Sequence, residues 1–448
     1  MLKFFNTLKH KVEDFKPIKN GEVGMYICGP TVYNFSHIGN LRTYIFEDIV
    51  RRVLELAGFE VSEIMNITDV EDKLIKKSRG DKEKLKEITQ KYEEAFLKDA
   101  GELNIEKPQK ITRATDYIEK MVVLIKILIE KGIAYKASDN SIYFSIAKFK
   151  DYGKLSGLDK NNLKIGARVD QDEYKKENPS DFVLWKAWSE NDGDIFWETE
   201  LGKGRPGWHI ECSAMSQEKL GETFDIHAGG VDLIFPHHEN EIAQSEGATD
   251  KPLANYWLHS EHLLVDNAKM SKSKDNFYTL EDLREKGYDP LDFRYLCLLA
   301  HYKTKLNFTW ESLKSAQDAR NRLINIYAGL EIGDEELSEE DLKEFKDILF
   351  NNFDTPKLLA KIWEILRDTN INGSKKAAIL KYWDDNLLAL NLTNQEIIVP
   401  KEVQLLVEER GEARANKNWQ KSDELRDKIE KLGFVIEDLE SGTKIKKR

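Results

Sequence analysis

One segment near the start of the chain limits the fold more than any other. Gly24-Met25-Tyr26-Ile27-Cys28 is a short apolar run that begins at a glycine. From Leu41 to Ala57 apolar residues recur at Leu41, Ile45, Ile49 and Val53, and again at Phe46, Val50 and Leu54. The first pattern suits a strand buried on both faces, and the second suits a helix with one apolar face. Gly58 supplies a helix stop, and Glu60 to Ile67 is a second strand candidate. Strand, helix and strand in that order open an α/β domain built on a parallel sheet.

The pattern changes further along. Tyr117 to Lys131 has helical spacing and ends at Gly132. Ser141 to Ser145 alternates polar and apolar residues, which predicts a small antiparallel element. Lys148 to Asn191 is polar and interrupted, and reads as a loop-rich insertion. The α/β pattern resumes with Trp208 to Cys212 and Thr223 to His227. Beyond about residue 310 the chain reads as helical, with Ala316 to Leu330 and Pro356 to Arg367 as clear cases. Asp354-Thr355-Pro356 has the form of a helix start. The last stretch reads as helix, helix and hairpin, with Phe434-Val435-Ile436 pairing with Thr443-Lys444-Ile445.

Bulk properties narrow the class. The 448 residues allow about three domains at roughly 150 residues each. The start carries Lys9, Lys11, Glu13 and Asp14 where a secretory signal needs an unbroken apolar core. The apolar Met121–Ile129 stretch is short and holds Lys126, so no membrane span is expected. The three cysteines, Cys28, Cys212 and Cys297, are widely spaced, which predicts a reducing, cytoplasmic setting without disulfides. A net charge of −12 disfavours a general nucleic-acid coat but allows local basic surfaces.

Two motifs point to phosphate chemistry. His37-Ile38-Gly39-Asn40 precedes the Leu41–Ala57 helix, where unpaired N–H groups and a partial positive charge attract anions. Far downstream, Lys269-Met270-Ser271-Lys272-Ser273 places two lysines among small polar residues, as in a loop that closes on a polyphosphate. Either motif alone is ordinary: the first as helix capping, the second as a solvated loop.

A third constellation suggests a metal. In Pro236-His237-His238-Glu239-Asn240-Glu241, His237 and Glu241 fall one helical turn apart after a proline. With Cys28 and Cys212 they form a possible two-sulfur, one-nitrogen, one-oxygen donor set of the kind zinc favours. The spacing is unlike a zinc finger, so His237 as an ordinary surface or core residue remains the alternative.

Taken together, the His37–Asn40 and Lys269–Ser273 motifs resemble the two signatures of class I aminoacyl-tRNA synthetases. That family usually shows histidine where this chain has Asn40. The runs Met25–Tyr33, Asn66–Asp69, Gly204–Met215 and Phe235–Glu241 further resemble the cysteinyl-tRNA synthetase family. The resemblance implies a Rossmann-like doubly wound parallel sheet with a small inserted domain. A helical bundle and a small C-terminal α+β domain should follow it. It divides the chain at 1–120 and 201–265 (the two catalytic halves, the second with zinc ligands), 121–200 (connective insertion), 266–312 (stem-contact region), 313–398 (bundle) and 399–448 (anticodon-binding domain).

The resemblance also implies one zinc ion per chain on Cys28, Cys212, His237 and Glu241. Gly29, Thr68, Trp208 and Asp232 are then expected near the substrate cysteine. His37, Gly39, Asn40, Lys269 and Lys272 are expected at ATP, which arrives with Mg2+, and of these His37, Asn40, Lys269 and Lys272 carry the catalysis. Cysteine tRNA is the expected partner, met by a monomer without a membrane. Arg410, Arg414, Lys417, Lys421, Arg426, Lys428 and Lys431 are candidate contacts to its backbone. Two other readings stay open: a cysteine ligase acting on an amino-sugar acceptor, and a non-catalytic, zinc-stapled RNA-binding protein.

Overall fold

A computed structural model describes residues 1–158, 180–270, 276–333, 335–393, 399–439 and 442–447. The chain divides into two compact units. The first is formed by residues 1–286, 300–308 and 349–354, and the second by the remaining segments from 287 onward.

The first unit is built on five parallel strands. In spatial order they are Ala254–Ser260, Phe224–Gly230, Glu22–Ile27, Glu60–Ile67 and Lys110–Arg113. Ile226 pairs with Met25, Met25 with Glu63, and Met65 with Ile111. The chain lays the Glu22–Ile27 strand first and builds outward in one direction, then returns to its other side with Phe224–Gly230. That reversal is the switch point of a doubly wound sheet, where ligands bind beyond the strand ends. Cys28 immediately follows one of the two switch-point strands, and Val231–Leu233 follows the other.

The expected crossover helix spans Ile38–Leu56. All seven residues of its apolar series, from Leu41 to Leu54, are buried. At about 1.5–3 kcal/mol for each large aliphatic side chain, that face holds the helix to the sheet. Gly58, at φ +89°, turns the chain into the next strand, in a backbone region that glycine enters without a Cβ clash. On the opposite layer the helices Ile118–Glu130, Trp208–Leu220 and Glu239–Thr249 share one core with the sheet, and Met121, Trp185, Cys212 and Trp257 lie within it.

The insertion contains more structure than its polar sequence predicts. Ala134–Lys136, Ile142–Phe144, Phe182–Ala187, Gly202–Pro206 and Trp197–Thr199 form a five-stranded antiparallel sheet. Phe182-Val183-Leu184-Trp185 is buried on both faces, so this strand shows no alternation. Gly202–Pro206 escapes notice because glycine and proline dominate it, and its strand ends at the proline. Residues 159–179 lie outside the described residues.

The second unit is helical, with Pro290–Leu298, Trp310–Gly329, Thr355–Arg367 and Gly373–Trp383 among its elements. Helices Lys401–Ala415 and Trp419–Lys431 precede a hairpin of Phe434–Leu439 and Gly442–Lys447, with Ile436 opposite Ile445. Val403, Ile429, Phe434 and Ile436 form the small core of this end. Among the described residues no helix is long and apolar enough to cross a membrane.

Candidate functional site

The switch point gathers the two cysteines expected as metal ligands. Cys28 lies where the first strand ends, and Cys212 sits in the second turn of the Trp208–Leu220 helix. Their sulfurs are 3.9 Å apart and both are buried. His237 lies in a turn, Ile234–His238, that runs directly into the Glu239–Thr249 helix. Its Nε2 is 3.2 Å from Glu241 Oε1, the one-turn relationship the spacing predicts. Glu241 Oε1 in turn lies 3.8 Å from Cys28 Sγ. One donor atom from each of Cys28, Cys212, His237 and Glu241 falls within 4.8 Å of all the others, and all four residues are buried.

Sequence reasoning missed a second imidazole layer. Cys28, His227, His238 and Glu241 also bring their donor atoms within 4.8 Å of one another. His238 Nε2 is 3.4 Å from Cys28 Sγ, and His227 Nε2 is 3.0 Å from Glu241 Oε2. The rings are held from behind: His209 Nδ1 lies 2.9 Å from His237 Nδ1, His238 Nδ1 lies 2.8 Å from His259 Nε2, and His259 Nδ1 lies 2.8 Å from Thr7 Oγ1. Such contacts fix ring orientation and tautomer. The one signal for this layer was the His237-His238 pair itself.

Electrostatics bear on whether a cation fits. Burial pushes the Cys28 thiol up, with Cys212, Glu241 and Glu47 adding to it. The Cys212 thiol is pulled down by its hydrogen bond with Cys28, but burial and the Glu241 and Glu211 carboxylates outweigh this. Burial, then neighbouring imidazoles, hold His237 and His238 well below the usual histidine range. Left to themselves these groups stay neutral, because several buried anions without a counter-charge are costly. A divalent cation reverses that preference and draws the thiols into thiolates, while neutral imidazoles are already in the ligating form. The donor set therefore fits a zinc-like ion.

Around the cluster lie three of the four expected substrate contacts. A Cβ on Gly29 would come within 1.7 Å of the Asn66 carbonyl oxygen, so glycine is the residue this position accepts. Its N–H donates to Asn66 Oδ1 at 3.0 Å, Asn66 Nδ2 donates to Thr68 Oγ1 at 3.3 Å, and Thr68 donates to Glu211 Oε2 at 2.9 Å. Thr68 is thereby fixed beside the helix that carries Cys212. The Trp208 ring lies on His237, with centroids 4.1 Å apart. Asp232 is exposed, in the one-turn helix Val231–Leu233 beyond the second switch-point strand.

The two motifs expected at phosphate lie together. His37 caps the Ile38–Leu56 helix, its Nδ1 accepting from the Asn40 N–H at 3.1 Å. The segment after the second motif pairs with this turn: Ile38 N–H donates to Tyr278 O at 2.9 Å, and the His37 and Phe277 rings pack edge to face at 5.1 Å. On the near side of the second motif, a Cβ on Gly39 would lie 2.5 Å from Met270 Cε. Lys269 is exposed on the short strand before Met270. Lys272 lies outside the described residues.

The C-terminal helices correct one expectation. Arg410 is not a surface cation open to RNA. It is buried, and its Nη1 and Nη2 each lie 2.9 Å from a carboxylate oxygen of Asp438. Arg414 joins the same carboxylate at 2.8 Å. A charge pattern along a helix cannot distinguish an internal bidentate pair from a solvated face.

Comparison with known proteins bears on both units. Residues 14–318 match the tRNA synthetases class I (C) catalytic domain, and residues 399–444 match the cysteinyl-tRNA ligase anticodon binding domain. The cysteine–tRNA ligase of Brachyspira hyodysenteriae is 46% identical, over 99% of this chain and 99% of that protein. That of Protochlamydia amoebophila is 45% identical, over 100% and 98%. The Mycobacterium tuberculosis methionyl-tRNA synthetase in complex with methionyl-adenylate shares the fold, at a TM-score of 0.57 and 14% identity over 83% of this chain and 88% of that one. The chain belongs to the cysteine–tRNA ligase family of class I tRNA synthetases.

Proposed function

We propose that the chain joins cysteine to ATP as cysteinyl-adenylate and passes the cysteinyl group to the 3′ end of cysteine tRNA. In this reading the amino acid is selected by zinc on Cys28, Cys212, His237 and Glu241. The observation that carries it is the convergence of those four buried donor atoms within 4.8 Å at the switch point of a class I catalytic fold.

Zinc held there supplies a soft Lewis acid for which a thiolate is a far better ligand than a neutral hydroxyl. This matters because serine differs from cysteine by one atom, and a pocket that reads shape alone separates near-isosteres by only about 10- to 200-fold. Trp208 and Thr68 hold the rest of the substrate against the cluster, and Gly29 keeps the wall close. The substrate carboxylate is itself the nucleophile: it forms a bond to the α-phosphorus of ATP as the bond to pyrophosphate breaks. The chain's task is to orient those atoms and stabilise charge. His37 faces the α-phosphate from the helix N-terminus, and Lys272, helped by Lys269, neutralises the departing pyrophosphate. Asn40 and Gly39 complete the turn, and Asp232 approaches the amino acid from the other strand end. Mg2+ accompanies ATP, and the chain acts as a cytoplasmic monomer.

Cysteine-dependent pyrophosphate exchange followed by charging of cysteine tRNA tests the reading. Exchange without charging would favour a different acceptor, and neither activity would leave the metal cluster as a structural staple.

A further inference from the structure

Between Cys28 and His37 the chain carries a feature that cysteine and ATP leave unused. Phe35 is 44% exposed beside the catalytic turn. Its ring meets Tyr92 edge to face, with centroids 5.0 Å apart. Two exposed lysines flank this pair, and a third lies over the neighbouring Tyr33: Lys77 lies 4.2 Å from the Tyr92 ring, Lys91 lies 5.8 Å from Phe35 and 5.6 Å from Tyr92, and Lys73 lies 5.1 Å from the Tyr33 ring.

Lys77 has a structural part, donating to Tyr33 O at 2.6 Å and to Tyr92 Oη at 2.8 Å, so it ties the loop to the helices Asp72–Ser78 and Lys82–Glu102. Two neighbouring acids are engaged elsewhere, Asp72 by Lys186 and Arg205 and Glu93 by Arg113, while Glu71 stays within electrostatic reach of Lys73. A chain of net charge −12 thus sets a cationic, aromatic platform directly beside its phosphate turn.

We propose that this platform binds the single-stranded 3′ end of the tRNA, with a base stacked on Phe35 and Lys73 and Lys91 against its phosphates. The inference rests on the proposed aminoacylation and locates its second substrate. Exposed aromatic faces interleaved with lysines are what unpaired nucleotides recognise: the ring takes the base and the cations take the backbone. Acyl transfer also requires the terminal ribose to reach the adenylate, which forms between the cysteine cluster and His37. Phe35 lies on the loop joining those two places. ATP needs no such platform, since its phosphates are met at the His37 turn.

The test compares pyrophosphate exchange with charging for three variants of the full chain. Phe35→Leu keeps apolar bulk but removes the aromatic face. It should leave exchange within about 2-fold of the unaltered chain and lower kcat/KM for tRNA by roughly 5- to 150-fold, the range for losing one base stack. Phe35→Tyr should restore charging. Lys73→Ala combined with Lys91→Ala should flatten the salt dependence of tRNA binding by roughly 0.7 in log–log slope per lysine. Unchanged charging in all three variants would overturn the inference, and so would a parallel fall in exchange, which would assign the platform to ATP. If the unaltered chain exchanges but does not charge, the aminoacylation reading fails, and the inference fails with it. Exchange serves as the check that each variant is folded.

Discussion

The sulfurs of Cys28 and Cys212 lie 3.9 Å apart, although one closes a strand and the other rides a helix from the second half of the catalytic fold. Beyond the weak hydrogen bond between them, a bound cation would hold both sulfurs as thiolates. Cys28→Ser or Cys212→Ser should therefore reduce bound zinc from one per chain to about a tenth or less, measured by elemental analysis after gel filtration. His237→Ala should do the same. His238→Ala, which removes a ring braced by His259, should weaken zinc by about 10- to 100-fold without abolishing it. Full retention of zinc in the His237 variant, with loss in the His238 variant, would transfer the ligand role to the second imidazole layer.

In the proposed function the activation step is separable from the metal. His37→Ala should slow cysteine-dependent pyrophosphate exchange by on the order of 10²- to 10³-fold, the usual effect of removing one preorganised donor. Lys272→Ala should slow it by a comparable factor. Zinc content should stay at one per chain in both, because neither side chain belongs to the donor set. Normal exchange in either variant would remove that residue from the proposed chemistry.

A pH effect on stability follows from Glu63. Burial pushes its carboxyl up to about 7, even though Arg51 Nη1 lies 3.0 Å away and pulls it down. In the unfolded chain a glutamate titrates near 4.3. Between those values the folded state keeps a proton that the unfolded state has lost. This contribution to stability is therefore complete at low pH and disappears as pH rises through 7. Glu63→Gln should raise the thermal midpoint more at pH 8 than at pH 4, by on the order of a few degrees. Equal shifts at both pH values would show that folding leaves the carboxyl at its ordinary pKa.

At the C-terminal end, the Arg410 guanidinium holds Asp438 down to about 2, and Arg414 adds to the effect. The folded pKa is lowered, so this pair stabilises the region above the ordinary aspartate range and loses that effect as pH falls toward 2. Asp438→Ala leaves a buried cation without its partner and should cost about 1–3 kcal/mol, read by denaturant unfolding of the second unit. Arg414→Ala, at an exposed position, should cost less than about 1 kcal/mol.

The outcome divides along physical lines. Apolar runs and helical phase made the strand–helix–strand unit legible, because burial on one or both faces imposes a period on the sequence. The His237–Glu241 relationship was legible for the same reason, as a one-turn repeat. His227, His238 and His259 were not, because a layer of imidazoles is assembled from several elements and leaves no period in any of them. The Phe182–Ala187 strand lay hidden in polar surroundings, and Gly202–Pro206 looked like a loop. Arg410 looked solvated because its partner is on another element.

The central claim, that the metal reads the thiolate, is tested most directly by kcat/KM for cysteine and for serine in pyrophosphate exchange on the zinc-loaded chain. The account predicts a preference for cysteine of at least about 10⁴-fold. Serine activation within about 100-fold of cysteine would contradict it, because a pocket without metal readout achieves that much by shape alone.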